Sequence, residues 1–410
     1  MRRTFPGLVL LTILMGTLTL AFNVQPARAS GTIYIRADGS IDPPTASIST
    51  ADNVTYTLTG NVASDTGGIV VERDNIVVDG AGYTLQATWG WGKGIDLFLR
   101  SNVTIQNMTI KAFLYGIYLD NSFSNSIVGN NITNNDYGGI WLDSSSNNNS
   151  IVENNITNND YGIYLESSSN NSIVGNMFAN DGLVVWYSYG NVVEDNFVNG
   201  KPLVCFEGAS GVKIENAGQV IVIDCDNINV ENLNLSHTSI GIELWNTTNT
   251  KITGNNVANN WHGIWLCYSS NNSVVGNNIT ANNEDGIYLW YSSNNVIYHN
   301  NFVNNTQQMF IGTPGYANVW DYGYHSGGNF WSDYNGTDAN SNGIGDTPYV
   351  IDADNADNYP FMVPTLIPEF PSFLILALFM MATLLAVIIH KQKKGNCAGD
   401  DPLNRHLGIF

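Results

Sequence analysis

The sequence predicts an all-β protein whose chain winds into a parallel β-helix of about eleven coils of roughly 20–24 residues. The first observation is a repeat: Ile117, Ile140 and Ile163 stand in the same Gly-Ile-aromatic-Leu unit, 23 residues apart, and the unit returns at Ile264 and Ile287. A fixed short period is typical of stacked units that share one core. The second observation is that no unit contains the roughly ten to twelve residues of helical periodicity that a helix needs. Short β-like runs alternate instead with Asn, Ser and Gly corners.

Each coil supplies a set of apolar residues that should point inward, so that like stacks on like about 4.8 Å apart. The members, one coil per group of four, are Ile127, Ile132, Ile140, Leu142; Ile151, Ile156, Ile163, Leu165; Ile252, Val257, Ile264, Leu266; and Val274, Ile279, Ile287, Leu289. Asparagine recurs at one corner of the coil, where its amide can bond the coils above and below. This predicted ladder comprises Asn130, Asn154, Asn176, Asn255, Asn277 and Asn300. Residues 182–235 repeat less clearly, but their spacing predicts that they continue the same stack.

The two ends of the chain predict export and anchoring. Residues 1–29 have the basic start, apolar centre and Ala-x-Ala end of a secretory signal peptide. Residues 30–69 are predicted as an N-terminal cap, 70–308 as the repeats and 309–366 as a C-terminal cap. Residues 367–390 are predicted as a transmembrane anchor because a long apolar run precedes Lys391. By the positive-inside rule, residues 391–410 would be a cytoplasmic tail and the repeats would lie on the extracellular face.

Composition bears on the partners. Charged residues make up 12% of the chain, the formal net charge is -20, and no Lys or Arg occurs between Lys111 and Lys201. A nucleic-acid-binding surface needs clustered basic residues, so this class is excluded for that region. The acidity favours cations, neutral sugars or basic surfaces as partners. Cys205 and Cys225 are 20 residues apart, close to one repeat, so a disulfide between neighbouring coils is one alternative to two buried thiols.

Two resemblances to known families follow from motifs. The repeated Asn-x-Ile-x-x-Asn-Asn-x-x-Gly-Ile-x-Leu pattern, with Lys201-Pro202-Leu203-Val204 and Cys225-Asp226-Asn227-Ile228, resembles the NosD-type β-helices of the wider carbohydrate-binding and sugar-hydrolase (CASH) group. The resemblance covers residues 70–365 and implies a right-handed parallel β-helix. Pro368-Glu369-Phe370 before the apolar run resembles the PEF-type C-terminal sorting signal of archaeal surface proteins, although the chain continues for longer than such signals do.

An outward stripe of aromatic residues is the main candidate ligand site. In Gly-Ile-x-Leu the variable residue should point outward, and it is aromatic in five coils: Tyr118, Trp141, Tyr164, Trp265 and Tyr288. Two residues further on come the acids Asp120, Asp143 and Glu166. Aromatic faces beside carboxylates suit sugar rings, although aromatic residues also stack on a sheet for stability alone. The three acids are weak catalytic candidates, because any regular stack places carboxyl groups at the separations that glycosidases use.

Two metal sites are considered. The C-terminal cap contains Asp338, Asn340, Asn342 and Asp346, oxygen ligands at the spacing of a Ca²⁺ loop, but position 12 of that loop is Tyr349. A turn held by its own side chains is the alternative. The second metal is copper, which the NosD resemblance suggests. The sequence contains no motif of soft copper ligands, although His262 and His299 occur in the late coils.

The predicted protein is therefore a cell-surface β-helix, anchored in the membrane by its C-terminal helix, that binds glycans or contributes to the envelope. A polysaccharide hydrolase or lyase and a copper-handling protein are the alternatives. Binding is favoured over catalysis because the polygalacturonase motifs are absent and the outward stripe of residues 112–200 lacks the basic residue that polyuronate lyases use.

Overall fold

A computed structural model describes residues 29–312 and 315–366. These residues form an all-β, right-handed solenoid of about 12 turns. No helix of sufficient length and apolar character to cross a membrane occurs within the described ranges. The predicted signal peptide, except Ala29, and the predicted anchor and tail lie outside these residues.

The first part of the chain forms a three-faced stack, here called the first stack. Face 1 consists of β2 (Ile33–Ile35), β7 (Ile69–Val71), β10 (Lys93–Phe98), β13 (Tyr115–Asp120), β16 (Gly138–Asp143), β19 (Tyr161–Glu166) and β22 (Leu183–Trp186). Face 2 consists of β5 (Thr55–Leu58), β8 (Ile76–Asp79), β11 (Val103–Gln106), β14 (Ser126–Val128), β17 (Ser150–Val152), β20 (Ser172–Val174) and β23 (Val192–Glu194). Face 3 consists of β1 (Ala29–Ser30), β6 (Val62–Ser64), β9 (Thr84–Ala87), β12 (Thr109–Lys111), β15 (Asn131–Thr133), β18 (Asn155–Thr157), β21 (Met177–Ala179) and β24 (Phe197–Val198). At the N-terminal end, β3 (Ile41–Asp42) and β4 (Ile48–Thr50) pair antiparallel with β2 and β5.

The second part forms another three-faced stack, the second stack. Its face 1 consists of β25 (Lys201–Glu207), β27 (Gln219–Ile223), β30 (Ile240–Trp245), β33 (His262–Cys267), β36 (Asp285–Trp290) and β39 (Gln307–Ile311). Face 2 consists of β26 (Lys213–Ile214), β28 (Asn229–Glu231), β31 (Lys251–Thr253), β34 (Ser273–Val275) and β37 (Val296–Tyr298). Face 3 consists of β29 (Asn234–Ser236), β32 (Asn256–Ala258), β35 (Asn278–Thr280), β38 (Asn301–Val303) and β40 (Phe330–Trp331). A small antiparallel pair, β41 (Tyr349–Val350) and β42 (Ala356–Asp357), follows.

The predicted register and core are confirmed. Ile117 pairs with Ile140 and Ile140 with Ile163, as the repeat requires. All sixteen residues predicted to point inward are 0–1% exposed. The alternation of strand residues therefore sorts one set of side chains into a continuous apolar core and the other set to the outside.

The asparagine ladder is also confirmed. Asn154 is buried, and its Nδ2 donates to the Ile127 carbonyl oxygen at 2.9 Å and to Asn176 Oδ1 at 3.0 Å. Its own Oδ1 accepts hydrogen bonds from the backbone and side-chain amides of Asn130. The same bonds recur from Asn255 through Asn277 and Asn300. Each amide thus satisfies backbone groups at the corners, where the strands cannot.

The prediction of one continuous stack through residues 182–235 is wrong. Faces 1 and 2 of the first stack end at β22 and β23, and the second stack starts new sheets. The chain reverses at Asn199-Gly200, where both residues have positive φ (51° and 78°), so that β24 and β25 pair antiparallel. Asn-Gly is the preferred sequence for such a two-residue hairpin turn. Only face 3 of the first stack is continuous with face 1 of the second.

The free edge of the first stack is covered by side chains of the second. The Leu183 amide donates to Gln219 Oε1 at 3.0 Å, and Gln219 Nε2 donates back to the Leu183 carbonyl oxygen at 2.7 Å. The Val185 amide lies 3.3 Å from both carboxyl oxygens of the fully buried Glu243. Strand β22 therefore lies on the outward side of face 1 of the second stack, which covers a sheet edge that would otherwise be open.

A candidate functional site in the cleft between the two stacks

The predicted aromatic stripe does not form an open, flat platform. Trp141 and Trp265 are each only 6% exposed, and Tyr118, Tyr164 and Tyr288 are half-buried. The Trp141 and Tyr164 rings stack with centroids 3.9 Å apart. The expectation of an exposed face is therefore wrong for the two tryptophans. These side chains do point away from the core of their own stack, as predicted, but other rings cover them.

The cover comes partly from the meeting of the two stacks. Trp186, at the end of β22, contacts Trp245 and Trp265 of the second stack, with ring centroids 5.1 and 5.6 Å apart. Tyr161 contacts Trp261 in the same way at 6.4 Å. Outward residues of both stacks thus join one apolar cluster. Since aromatic residues bury large areas, this packing holds the two stacks together.

The three predicted acids follow the stripe as expected, but two of them are committed to neighbours. Asp143 accepts a hydrogen bond from the Tyr118 hydroxyl at 2.8 Å. Asp120 accepts from Asn121 Nδ2 at 2.7 Å. Partial burial and the nearby Asp143 raise the pKa of Glu166. The structure brings Asp143 and Glu166 near each other, and neither of them lines the cleft at the junction of the stacks.

A cleft does open where the face 1 strands begin, at the junction of the stacks. Its volume is about 260 Å³, and all but one of its lining residues are polar: Asn158, Asn159, Asp160, Asn180, His237, Thr238, Asn259, Trp261 and Asn283. The first four come from the corners before β19 and β22 of the first stack, and the others come from the equivalent corners of the second. This inter-stack cleft is the site that the sequence prediction missed, because neither stack contains it alone.

A buried polar contact lies beside the cleft. The Tyr161 hydroxyl is 3.3 Å from His262 Nε2, which joins residues 101 positions apart in the chain. On the other side of the imidazole, Nδ1 is 3.2 Å from Asp285 Oδ2, a contact distance without hydrogen-bond alignment. Tyr161 is buried, and desolvation raises the pKa of its hydroxyl. These side chains fix the relative position of the two cleft walls.

One carboxylate, Asp160, lines the cleft, and two more lie near it. Partial burial, followed by the charges of Asp136 and Glu284, raises the pKa of Asp160 to about 6. Asp181 lies deeper in the first stack, and burial raises the pKa of its carboxyl group well above the ordinary value. Its Oδ2 accepts the last hydrogen bond of a ladder that runs from Asn135 through Asn159. Asp160 can therefore hold or release a proton near neutral pH.

One buried hydroxyl at the cleft lacks a partner. Thr238 is 3% exposed, it lines the cleft, and its Oγ1 makes no hydrogen bond. Buried hydroxyl groups nearly always have a partner, so an unpaired one needs an explanation. A ligand hydroxyl or a bound water in the cleft would supply it.

The cysteines and histidines in the described part of the chain do not assemble a metal site. Within residues 29–312 and 315–366, no three His, Cys, Asp or Glu side chains are grouped so that they could hold a metal ion. His262 lies on face 1, whereas His299 lies in a corner between faces 2 and 3 and contacts the Ser326 carbonyl oxygen at 2.8 Å. The described residues therefore do not fit a copper centre, which needs several soft ligands together.

The disulfide alternative is wrong, because Cys205 and Cys225 are both free. Cys225 occupies a corner position that is filled by a hydroxyl residue in later coils, and its amide donates to Thr247 Oγ1 at 3.3 Å. Cys205 instead points outward from β25, in register with Ile221. The two sulfur atoms therefore belong to different sides of the strand, although their coils are neighbours.

The predicted Ca²⁺ loop is a compact turn. The Asp338 carboxylate accepts the backbone amides of Asn342 at 3.0 Å and Gly343 at 2.8 Å. Asp346 accepts the amide of Ala339 at 2.7 Å. Tyr349, at the position of the expected glutamate, stacks on a tryptophan and is part of the cap. The loop brings oxygen ligands together, and calcium binding stays a prediction.

These features define the protein as a parallel β-helix made of two stacks with a polar cleft at their junction. The chain belongs to the NosD family, described as "Periplasmic copper-binding protein (NosD)", which matches residues 29–182 and 179–336. The two matches overlap at residues 179–182, just before β22, the last strand of face 1 in the first stack. No match is found among curated proteins.

The chain also matches solved structures at low sequence identity. A mutant of the periplasmic alginate epimerase AlgG is 13% identical, over 71% of this chain and 83% of that chain, with a TM-score of 0.31. The catalytic domain of a GH87 alpha-1,3-glucanase in complex with nigerose is 14% identical, over 74% and 63%, with a TM-score of 0.34. The Dettilon tailspike protein is 15% identical, over 75% and 71%, with a TM-score of 0.31. Likeness at this identity and TM-score carries no conclusion about the chemistry of this chain.

Proposed function

We propose that the protein binds a polysaccharide in the inter-stack cleft. The observation that carries the proposal is the lining of the cleft, in which amides, a carboxylate and a hydroxyl surround one tryptophan. Sugar rings offer hydroxyl groups to such polar side chains and a C–H face to an indole.

The charge around the cleft limits the class of polysaccharide that can bind there. Asp160, Asp136 and Glu284 lie close enough for their charges to interact, and no Lys or Arg is among the residues that line the cleft. A polyanionic chain would be repelled there. A neutral or amino-sugar polysaccharide is therefore the class that the cleft favours.

The test is binding of the full-length protein to an array of polysaccharides, followed by calorimetry with those retained. Asn283 is exposed and its side chain makes no described hydrogen bond, so Asn283→Ala should weaken binding and leave the melting temperature unchanged. Asn335→Ala, at another exposed asparagine whose side chain makes no described hydrogen bond, in the C-terminal cap away from the cleft lining, is the matched control and should bind normally. Absence of binding to every polysaccharide would refute the proposal.

Cleavage of the bound glycan is a second candidate, favoured by the raised pKa of Asp160. A carboxylic acid with a pKa of about 6 can protonate a departing glycosidic oxygen at neutral pH, while a second carboxylate assists the attack of water. Release of reducing ends from the bound polysaccharide would support it. Asp160→Asn should then abolish the release of reducing ends and keep glycan binding. If the wild type releases no product, cleavage is refuted and glycan binding alone remains proposed.

The family description makes copper the third class to test. Equilibrium dialysis of the full-length protein against copper, with His262→Ala as the variant, measures it directly. Stoichiometric copper binding that depends on His262 would redirect the proposal to metal handling.

We also propose that the cleft lies outside the cell, because the sequence predicts a signal peptide and a membrane anchor. Protease digestion of intact cells tests this location.

A further inference from the structure

Two tryptophans stand almost free of the protein surface on one loop. Trp89 and Trp91 are 75% and 71% exposed, the highest values of any described tryptophan. They lie between β9 and β10 in the sequence Trp89-Gly90-Trp91-Gly92, and neither ring contacts another aromatic ring among those described. Two such side chains on one loop form an exposed apolar patch, and exposed apolar patches are typical of sites that contact another molecule.

The course of this loop is fixed by its glycines. Gly90 and Gly92 have backbone φ values of 74° and 79°, which residues other than glycine rarely adopt. The Gly92 carbonyl oxygen accepts the Leu114 amide at 3.0 Å. A Cβ atom on Gly90 would lie 2.3 Å from Asp136 Oδ2, so the loop passes directly over that carboxylate. The two indoles are therefore held at a defined place.

That place is on the same rim as the inter-stack cleft. Asp136, under the loop, is close enough to Asp160 to raise its pKa, and Asp160 lines the cleft. Tyr137, next to Asp136, is 36% exposed and contacts Tyr161 with ring centroids 5.4 Å apart. The loop reaches the Asp136 corner, and that corner is one coil, or roughly 5 Å at the spacing of paired strands, from the Asp160 corner. An aromatic and acidic surface thus runs without a break from the loop to the cleft.

We propose that Trp89 and Trp91 form an outer subsite of the cleft, so that the ligand is a long, internal segment of a neutral or amino-sugar polysaccharide. This inference rests on the proposed glycan binding. A chain that fills the cleft and continues along the rim reaches the two indoles, whose exposed rings can stack on sugar C–H faces. The carboxylates beneath the path select against an acidic chain. A short oligosaccharide in the cleft would not reach this subsite.

The test is the dependence of affinity on ligand length. Full-length wild type and Trp91→Ala are titrated with soluble β-1,4-glucan, β-1,3-glucan and chitosan, and with oligosaccharides of each polymer. We expect Trp91→Ala to lower the affinity for the polymer about tenfold and to leave that for a disaccharide unchanged. Tyr322→Ala, at a 67% exposed aromatic residue in the C-terminal cap, is the matched control and should change neither. Gly90→Ala, which displaces the loop, should reproduce the loss for the polymer alone.

The outcomes separate the two proposals. If the wild type binds no glycan, glycan binding itself fails. If it binds but Trp91→Ala changes polymer and disaccharide equally, or changes neither, the outer subsite is refuted and the cleft stands alone. Binding of wild type, but not of Trp91→Ala, to phosphatidylcholine vesicles, with normal polymer affinity in both, would instead assign the two tryptophans to a lipid surface.

Discussion

The carboxyl group of Glu243 is buried between the two stacks. Replacing Glu243 with glutamine should reduce the loss of folding stability that occurs as the pH rises. The side chain is 0% exposed, and its described hydrogen bonds come from one backbone amide, that of Val185. Burial raises the pKa of Glu243 well above its ordinary value. The folded protein therefore keeps this carboxyl group protonated at a pH where the unfolded chain has released the proton.

The sign and size of the effect follow from linkage between protonation and folding. Below the pKa of glutamate in the unfolded chain, both states are protonated and Glu243 adds no pH dependence. Above it, the unfolded state loses a proton that the folded state retains, so the free energy of unfolding falls as pH rises. The fall is about 1.4 kcal/mol per pH unit and ends at the pKa of the folded state. Glu243→Gln removes this contribution and keeps the shape of the protonated side chain.

The assay is urea unfolding of both proteins at each half unit between pH 4 and pH 8. We expect similar stability at pH 4 to 5 and a widening advantage for Glu243→Gln above that range. Glu194→Gln, at an exposed residue of face 2, is the control and should follow the wild type. Parallel curves for wild type and Glu243→Gln would refute the reasoning, because they would show that the buried group carries the same charge in both states.

Three further predictions concern the packing, the ladder and the cap. Trp141→Ala should cost about 3–5 kcal/mol of stability in urea unfolding because a buried, stacked ring leaves a cavity; an unchanged midpoint would show that the stripe is not structural. Asn154→Ala should cost about 3 kcal/mol, since it leaves the buried Ile127 carbonyl oxygen and Asn130 backbone amide of the preceding coil without the amide that pairs them; a loss below about 0.5 kcal/mol would contradict the role of the ladder. Calcium should raise the melting temperature of the wild type, and Asp338→Asn should reduce that rise; equal melting curves with calcium and with chelator would refute the predicted loop.

The repeat predicted the local fold well because each coil depends only on its neighbours. Ile140 lies in register with Ile117 and Ile163, and the pairing continues through the stack. The alternation of apolar and polar residues therefore sufficed to identify the core and the amide ladder. One available signal was missed: Asn199-Gly200, between two apolar runs, predicts a hairpin and hence the reversal that ends the first stack.

The sequence could not predict the function of the outward residues, because their partners come from distant parts of the chain. Tyr161 meets His262, and Val185 meets Glu243, across separations of 101 and 58 residues. Tyrosine or tryptophan in an outward position has the same pattern whether it faces water or another sheet. Packing of the second stack over the first at Trp265, and ring stacking within the first stack at Trp141, thus turned an expected binding platform into part of the protein's own packing.

The sequence by itself determined the β-helix, its register, its core and its asparagine corners, since these depend on contacts one coil away. Only the tertiary structure decided that there are two stacks, that Trp141 and Trp265 are buried, and that a polar cleft opens between the corners. The physical reason is the sequence separation of the contacts: a repeat determines only the contacts between one coil and the next. The cleft arises from residues that no repeat relates, brought together where one stack covers the open edge of the other.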